Sequence, residues 1–206
     1  MSFNIDKSNA LFKRMLDIFG PDNAEALHWR NQNSQYLRYD IFSTIGDLNK
    51  KSILDVGAGL GDLYGYLEER GYENFEYLGV EVLEDFVEQA CKKFPKADFM
   101  QGDLLTFNPR KKYDYVICCG ALNVVIGDME ELVRKAIKKL FSHSRVGLGF
   151  NLLSKNARLK EDILYNYNPI EILSYCSKLT PYISYRHDYL DNDFTVFMYH
   201  SQRCNV

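Results

Sequence analysis

The sequence lacks a long apolar segment, paired cysteines and an excess of positive charge. Its longest apolar run, residues 115–127, is shorter than the roughly 20 residues that cross a bilayer, and it contains Asn123. The amino terminus shows no basic stretch followed by an apolar one, so we expect no secretory signal. None of the five cysteines forms a Cys-x-x-Cys pair or a zinc-ligand spacing with the four histidines. We therefore expect a cytoplasmic protein without membrane contact, structural metal or disulfides.

The balance of charge bears on the class of partner. Lysine and arginine total 25 and aspartate and glutamate 28, which gives a net charge of −3. A protein that binds nucleic acid through an overall positive field has the opposite balance, so no nucleic-acid partner is expected. With 206 residues, 46% of them hydrophobic, the chain has the size and composition of a folded domain and not of a disordered segment.

The first part of the chain has helical character. Over residues 7–46 apolar side chains recur at helical spacing, first at Leu11, Met15, Ile18 and Phe19. A glycine–proline pair ends this first helix, and Asp22 and Ser34 are the expected caps of two further helices. This pattern predicts a helical lid over residues 1–46, followed by a separate domain over residues 47–206.

From Lys51 onward, short apolar runs alternate with amphipathic helical segments. The predicted strands are 52–56, 75–82, 97–101, 113–119 and 145–152, and the helices between them are 60–70, 83–94 and 130–140. A further helix begins at Pro169, and two β-rich runs, 182–187 and 194–200, form a terminal hairpin. The fold class is therefore α/β, a doubly wound parallel sheet with one reversed strand at its end.

A glycine-rich loop joins the first predicted strand to the helix that follows. Gly57, Gly59 and Gly61 are followed by Asp62, where a dinucleotide-binding loop would place another glycine. A carboxylate at this position repels a pyrophosphate, which disfavours a nicotinamide-dependent oxidoreductase, and it is able to cap the helix. A tight turn that binds no ligand is the alternative interpretation.

Two further acidic residues follow the next two strands. Glu81 ends the second strand, 20 positions beyond Gly61, where a carboxylate is able to accept hydrogen bonds from both ribose hydroxyls. Asp103 follows the third strand, within reach of an adenine edge or in an Asx turn. Since the carboxyl ends of parallel strands share one edge of a sheet, these residues and the glycine loop are expected to lie together.

In these segments the sequence resembles the class I S-adenosylmethionine-dependent methyltransferases. The resemblance rests on Asp55-Val-Gly-Ala-Gly-Leu-Gly, Tyr77-Leu-Gly-Val-Glu, Gly102-Asp-Leu and Tyr113-Asp-Tyr-Val-Ile-Cys-Cys-Gly. It implies a Rossmann-like, seven-stranded sheet with the last strand antiparallel, and S-adenosylmethionine as cofactor. The cofactor-binding residues that it implies are Trp29, Gln35, Arg38, Asp55, Gly57, Ala58, Gly59, Glu81, Val82, Asp103, Leu104, Cys119 and Gly120.

A narrower resemblance, to a group of small bacterial methyltransferases of mostly unassigned substrate, includes the amino-terminal helices. In related enzymes an arginine of such a helix binds the methionyl carboxylate, and Arg38 matches that role because its planar fork suits a carboxylate. A surface arginine is the alternative. For Trp29, the single tryptophan, packing against the core is the alternative to a cofactor contact.

Two residues are candidates for the catalytic group. Asn123 follows the fourth strand, where it would orient the acceptor or hold the amino group of the cofactor; the alternative is a loop cap. His187 ends the predicted sixth strand, and a histidine side chain is able to act as a general base; the alternative is an anchor of the hairpin. His28 and Tyr36 in the lid are further candidates, and His143 falls at the opposite end of the sheet.

The remaining question is the methyl acceptor. The segment after the fourth strand, Cys119-Gly-Ala-Leu-Asn123, departs from the Asn-Pro-Pro-Tyr pattern of methyltransferases that act on amides or adenine in macromolecules. We therefore expect a small-molecule acceptor, enclosed by the lid and by residues 153–168, and a monomer or homodimer. The alternatives are a catalytically silent cofactor-binding protein and a methyltransferase for RNA or protein.

Overall fold

The structure, a computed structural model, describes residues 5–158 and 160–203. Within these ranges the α-helices are α1 (Ile5–Phe19), α2 (Gln32–Ser43), α3 (Asp62–Glu69), α4 (Glu84–Lys93), α5 (Met129–His143) and α6 (Pro169–Cys176). The strands are β1 (Ser52–Val56), β2 (Glu76–Glu81), β3 (Asp98–Gln101), β4 (Tyr113–Cys118), β5 (Ser144–Leu153), β6 (Ile183–Arg186) and β7 (Asp193–Tyr199). None of the helices described over those ranges is long and apolar enough to cross a membrane.

The seven strands form one sheet in the order β3-β2-β1-β4-β5-β7-β6. Strands β1 to β5 pair in parallel, and β7 lies antiparallel between β5 and β6. The predicted doubly wound sheet with a reversed last strand is thereby confirmed. Since the strand order reverses at the β1–β4 pair, the carboxyl ends of these two strands flank the crevice where such sheets bind their ligands.

Helices cover both faces of the sheet. One apolar cluster joins α5 and α6 to side chains of β4, β5 and β7. It includes Val133 and Ile137 of α5 and Leu148 and Phe150 of β5. The other joins α2 and α3 to the opposite face, where Phe42 of α2 meets Phe197 of β7 with ring centroids 6.2 Å apart. The central strand β1 is buried along its whole length, and β4, predicted to be buried on both faces, is buried at all positions but one.

The amino-terminal segment differs from its predicted form in two respects. The helix expected from Asp22 to Trp29 is only a 3-10 helix, Ala24–Leu27, and His28 ends it in the left-handed conformation with φ of 62°. Ser34 is not a cap: the Asn31 side chain caps α2 by accepting a hydrogen bond from the Ser34 amide at 2.9 Å. The second difference is local, because the Asn31 side chain takes the backbone amide of Ser34.

The buried face of α1 is also rotated from the predicted one. Ile18 and Phe19 are exposed, to 61% and 40%, whereas Phe12 and Leu16 pack towards Leu60 and Phe86. These partners come from the glycine loop and from α4, so tertiary contacts decide which of two overlapping apolar stripes is buried. Helix α1 thus lies over the glycine-loop side of the molecule.

We expect the core beneath α5 to carry much of the stability. Ile137→Ala removes a fully buried side chain and should lower the free energy of unfolding by about 2–5 kcal/mol, because a cavity remains. Ile170→Ala is the matched control, since Ile170 of α6 is 72% exposed, and it should cost no more than about 0.5 kcal/mol. Urea denaturation measures both, and equal losses would contradict this assignment of the core.

Candidate active site

The glycine loop lies between β1 and α3, at the carboxyl edge of the sheet. Gly57, Gly59 and Gly61 all have positive φ, at 78°, 55° and 80°. A side chain on Gly59 would meet Leu27 at 2.8 Å. The loop therefore needs glycine for its backbone conformation and, at Gly59, for the close approach of the lid.

Backbone hydrogen bonds fasten this loop to β2. The amides of Gly57 and Ala58 donate to the Val80 carbonyl at 2.8 and 3.1 Å. The Gly59 amide donates to Oε2 of Glu81 at 3.0 Å, and Oε1 of Glu81 accepts from the amides of Val82 and Leu83 at 2.8 and 3.1 Å. Glu81 thus stands at the end of β2 beside the loop, where the sequence predicts a ribose-binding carboxylate.

A second carboxylate, Asp55, is buried beneath the loop. It accepts a hydrogen bond from the Tyr77 hydroxyl at 2.5 Å and is 2% exposed. Burial, with the nearby charges of Glu81 and Asp62 and against the Tyr77 hydrogen bond, raises the pKa of Asp55 from 3.8 to about 7. Asp55 therefore supports the loop from below and offers no open surface to a ligand.

Asp62 does not cap α3, in contrast to the prediction. The capping position is Gly61, and Asp62 is the first helical residue. Its carboxylate accepts from Lys93 at 2.7 Å and from Nε2 of Gln35 at 3.0 Å. Gln35 also donates to the Tyr39 hydroxyl at 3.0 Å, so it links the lid helix α2 to the start of α3.

The residues after β3 take up a tight turn. Oδ1 of Asp103 accepts from the amides of Leu105 and Thr106 at 2.8 and 3.0 Å, as the Asx-turn alternative predicts. The Gly102 amide donates to the Glu81 carbonyl at 2.8 Å, which places Asp103 beside the end of β2. Leu104 packs against the core, whereas Val82 is 36% exposed at the same edge of the sheet.

Trp29 lies against the loop that follows β4. A side chain on Gly120 would meet the Trp29 ring at 2.8 Å, and the Gly120 amide donates to Oδ1 of Asn151 at 2.7 Å. Cys119, at the end of β4, is a partly exposed free thiol. Together with Leu27 over Gly59, Trp29 therefore brings the lid across the crevice between β1 and β4.

Arg38 is buried, with 4% of its surface exposed, so the alternative of a surface arginine is wrong. Its Nε donates to Asp193 at 2.8 Å, and Nη1 donates to the carbonyl and hydroxyl oxygens of Ser34 at 2.7 and 2.9 Å. The guanidinium carbon lies 4.8 Å from the centroid of the Trp29 ring. Among the described residues no hydrogen-bond partner contacts Nη2, which leaves this donor for a ligand.

Asn123 fastens two loops. Its Nδ2 donates to the Gly120 carbonyl at 3.3 Å, and its Oδ1 accepts from the Leu153 amide at 2.9 Å. It is 5% exposed. These contacts agree with the loop-capping alternative, and a catalytic role for Asn123 stays a prediction.

His187 lies on the expected edge of the sheet but far to one side. Strand β6 runs parallel to β5, so the hairpin after it does face the carboxyl edge. Three strand spacings separate β6 from β4, about 14 Å. The Tyr185 hydroxyl lies 3.0 Å from Nδ1 of His187, as in a hairpin anchor, and its role as a base stays a prediction.

His28 contacts the other segment expected to enclose the acceptor. Its Nε2 lies 2.9 Å from Oε2 of Glu161, in the connection between β5 and α6. The Tyr36 hydroxyl instead donates to Glu69 of α3 at 3.1 Å. Sequence reasoning missed Glu161, whose place in a polar, charged segment is typical of a solvated surface.

The donors and acceptors of this edge fit an adenosyl sulfonium cofactor. The glycine loop excludes side chains, and the Glu81 carboxylate beside it suits ribose hydroxyls. At the start of α3 stands Asp62, whose carboxylate pairs with Lys93. An adenosyl group without phosphates is therefore compatible with the site.

Comparisons with known proteins agree with this geometry. Residues 53–143 match the family of methyltransferase domains. A protein of Mycobacterium tuberculosis named "Putative methyltransferase Rv1506c" is 27% identical over 157 residues, which cover 71% of this chain and 92% of that protein.

Solved structures share the fold. An S-adenosylmethionine-dependent methyltransferase from Clostridium acetobutylicum superposes with a TM-score of 0.62 at 13% identity, over 91% of this chain and 97% of that one. The PH0226 protein of Pyrococcus horikoshii gives 0.67 at 15% identity, over 90% and 98%. Residues 53–143 thus match a methyltransferase domain, and the predicted fold is the one found in solved S-adenosylmethionine-dependent methyltransferases.

The buried Asp55 should make stability depend on pH. Its pKa is higher in the folded protein than in the unfolded chain, so between pH 4 and 7 only the folded state keeps the proton. The free energy of unfolding should therefore fall as the pH rises through this window, and Asp55→Asn should remove that fall. Thermal unfolding of both proteins from pH 4 to 8 measures the difference.

Asp114 provides the opposite control. Despite some desolvation, hydrogen bonds from Ser52 and the charge of Arg145 lower the pKa of Asp114. Its stabilising effect is present above the unfolded pKa and lost as the pH falls, so Asp114→Asn should matter least at the acid end. A pH-independent difference between wild type and Asp55→Asn would contradict the raised pKa.

Proposed function

We propose that this enzyme transfers the methyl group of S-adenosylmethionine to a small-molecule acceptor by in-line displacement, and that it works as a monomer or homodimer. The observation that carries the proposal is the closeness of the lid: Leu27 lies over Gly59, and Trp29 lies over Gly120. A lid in contact with both sides of the crevice encloses a site on the scale of a metabolite and excludes water from it.

The cofactor supplies the activated methyl group, and the chain supplies binding and alignment. We assign the ribose hydroxyls to Glu81, the adenine edge to Asp103 and the methionyl carboxylate to Arg38. The Glu81 carboxylate lies beside the glycine loop, whereas the Arg38 guanidinium lies over Trp29, the residue that contacts Gly120. This separation suits a ligand with a ribose at one end and an amino acid at the other.

The acceptor is placed beyond the crevice, between the lid and the connection from β5 to α6. Supporting this, His28 and Glu161 contact each other across that space, and Asn123 ties the loop after β4 to Leu153. His28, the single histidine of the lid segment, then lies beside the proposed acceptor site. A base is required only where the attacking atom carries a proton at working pH.

Cofactor selectivity should follow from Glu81. The protein should bind S-adenosylmethionine and S-adenosylhomocysteine and bind NAD poorly, because Asp62 opposes a pyrophosphate. Glu81→Ala should weaken adenosyl binding by about 1–3 kcal/mol, the range for lost charge-assisted hydrogen bonds. Isothermal titration calorimetry measures this, with Glu84→Ala, at the first turn of α4, as the control. Tight NAD binding without adenosyl binding would contradict the assignment.

Arg38 should discriminate ligands by their amino-acid end. Arg38→Ala should weaken S-adenosylhomocysteine by about 10- to 100-fold, the equivalent of one charge-assisted hydrogen bond, and 5′-methylthioadenosine hardly at all. The latter ligand keeps the adenosine and lacks the carboxylate. Calorimetry with both ligands gives the ratio of affinities, which does not change where a variant merely lowers the folded fraction. Equal losses would make Arg38 a support of the fold alone.

The acceptor class can be tested with the labelled methyl group of S-adenosylmethionine. Incubated with a cell extract, the enzyme should label the fraction of small metabolites, and label in RNA or protein would contradict a small-molecule acceptor. Asn123→Ala should lower single-turnover transfer more than cofactor affinity, because the loops that frame the acceptor lose their link. Asn108→Ala, on an exposed loop, is the matched control. Normal transfer by Asn123→Ala would shift the role to His28 or His187.

A further inference from the structure

Asp193, the first residue of β7, is a charged side chain buried at the carboxyl edge of the sheet. It is 0% exposed and forms an ion pair with Nε of Arg38 at 2.8 Å. Nδ2 of Asn151 lies 2.9 Å from each of its two oxygens, and the Tyr189 hydroxyl donates to Oδ1 at 2.5 Å. None of these three donors belongs to β7, the strand that carries Asp193.

Through Asn151 the same carboxylate reaches the loop after β4. The Asn151 amide group donates to Asp193 with its nitrogen and accepts from the Gly120 amide with its oxygen, at 2.7 Å. Arg38 lies over Trp29, and Trp29 in turn lies against Gly120. Asp193 therefore joins the lid helix α2, strand β5 and the loop after β4 in one continuous set of contacts.

These contacts fix the direction in which Arg38 points. Nε is held by Asp193 and Nη1 by Ser34, so the guanidinium plane cannot rotate without breaking three hydrogen bonds. The remaining donor, Nη2, has no hydrogen-bond partner among the described residues. A buried ion pair is weak evidence for stability, since apolar residues of similar volume often serve a core as well. Here the ion pair instead orients the Arg38 guanidinium, and a bidentate or charge-assisted contact to a ligand depends on the direction of the donor.

We propose that Asp193 and Asn151 are positioning residues for the methionyl end of the cofactor. Asp193 sets the direction of the free Arg38 donor, and Asn151 sets the Gly120 backbone beside it. The inference rests on the proposed contact between Arg38 and the carboxylate, and it adds two residues that do not themselves touch the ligand. A substitution at Asp193 should therefore lower the affinity for ligands that carry a carboxylate and leave the affinity for ligands without one unchanged.

The test compares two ligands and two variants. Asp193→Asn keeps the shape of the side chain and removes its charge. It should weaken S-adenosylhomocysteine about tenfold or more, as for loss of a charge-assisted contact, and leave 5′-methylthioadenosine within about twofold. The matched control is Asp114→Asn, because Asp114 pairs with Arg145 at 3.2 Å at the opposite end of the same sheet. Asp114→Asn should leave both affinities unchanged.

A double-mutant cycle tests whether Asp193 acts through Arg38. In an Arg38→Met background, Asp193→Asn should produce no further loss of S-adenosylhomocysteine affinity, since the group that it positions is already absent. Tyr189→Phe provides a milder variant in case Asp193→Asn does not fold. It removes one hydrogen bond to the carboxylate and keeps the ion pair, and it should shift the same affinity ratio in the same direction by a smaller factor.

The outcomes separate this inference from the proposed function. If the wild-type protein binds both ligands with equal affinity, the proposed contact between Arg38 and the ligand carboxylate is itself contradicted. A wild-type preference for S-adenosylhomocysteine that Asp193→Asn and Tyr189→Phe both leave intact would overturn the role of Asp193 alone. Equal losses of both ligands in Asp193→Asn, or additive losses in the cycle, would also overturn it, because a merely structural residue behaves in that way.

Discussion

The amides of residues 57–59 donate three hydrogen bonds to the end of β2, and the position of the candidate site depends on them. Two go to the Val80 carbonyl and one to the Glu81 carboxylate. These bonds hold a loop of positive φ against a neighbouring strand, where an ordinary side chain would meet the lid. The same contacts that shape the loop thus also hold the Glu81 carboxylate, the proposed ribose ligand, beside it.

The charges at this edge are arranged on two sides. Asp55, Asp62 and Glu81 cluster around the glycine loop, and the burial of Asp55, together with the charges of the other two carboxylates, raises the pKa of Asp55. Arg38 lies on the other side, near Gly120, where its own charge is matched by Asp193. The proposed cofactor, with a sulfonium and an amino acid, would meet carboxylates on the first side and the Arg38 guanidinium on the other.

The sheet and the glycine loop could be predicted because their signals are local. Each strand is a short apolar run bounded by turn residues, and β1 was placed without error at Ser52–Val56. Glu81 was found because its distance from the loop is set by one βαβ unit. The lid was predicted less well: the exposed Ile18 and Phe19 belong to an apolar stripe as regular as the buried one, and only contacts with Leu60 and Phe86 distinguish them. The partner of Arg38 lies 155 positions away, and no spacing rule connects the two.

The left-handed residue His28 explains how one short lid segment contacts both sides of the crevice. Its φ of 62° turns the chain sharply after the 3-10 helix. Because of this turn, Leu27 lies on Gly59, Trp29 lies on Gly120, and His28 itself faces outward to Glu161. Residues 27–29 therefore link three parts of the candidate site, namely the glycine loop, the loop after β4 and the connection from β5 to α6, through a single turn of the chain.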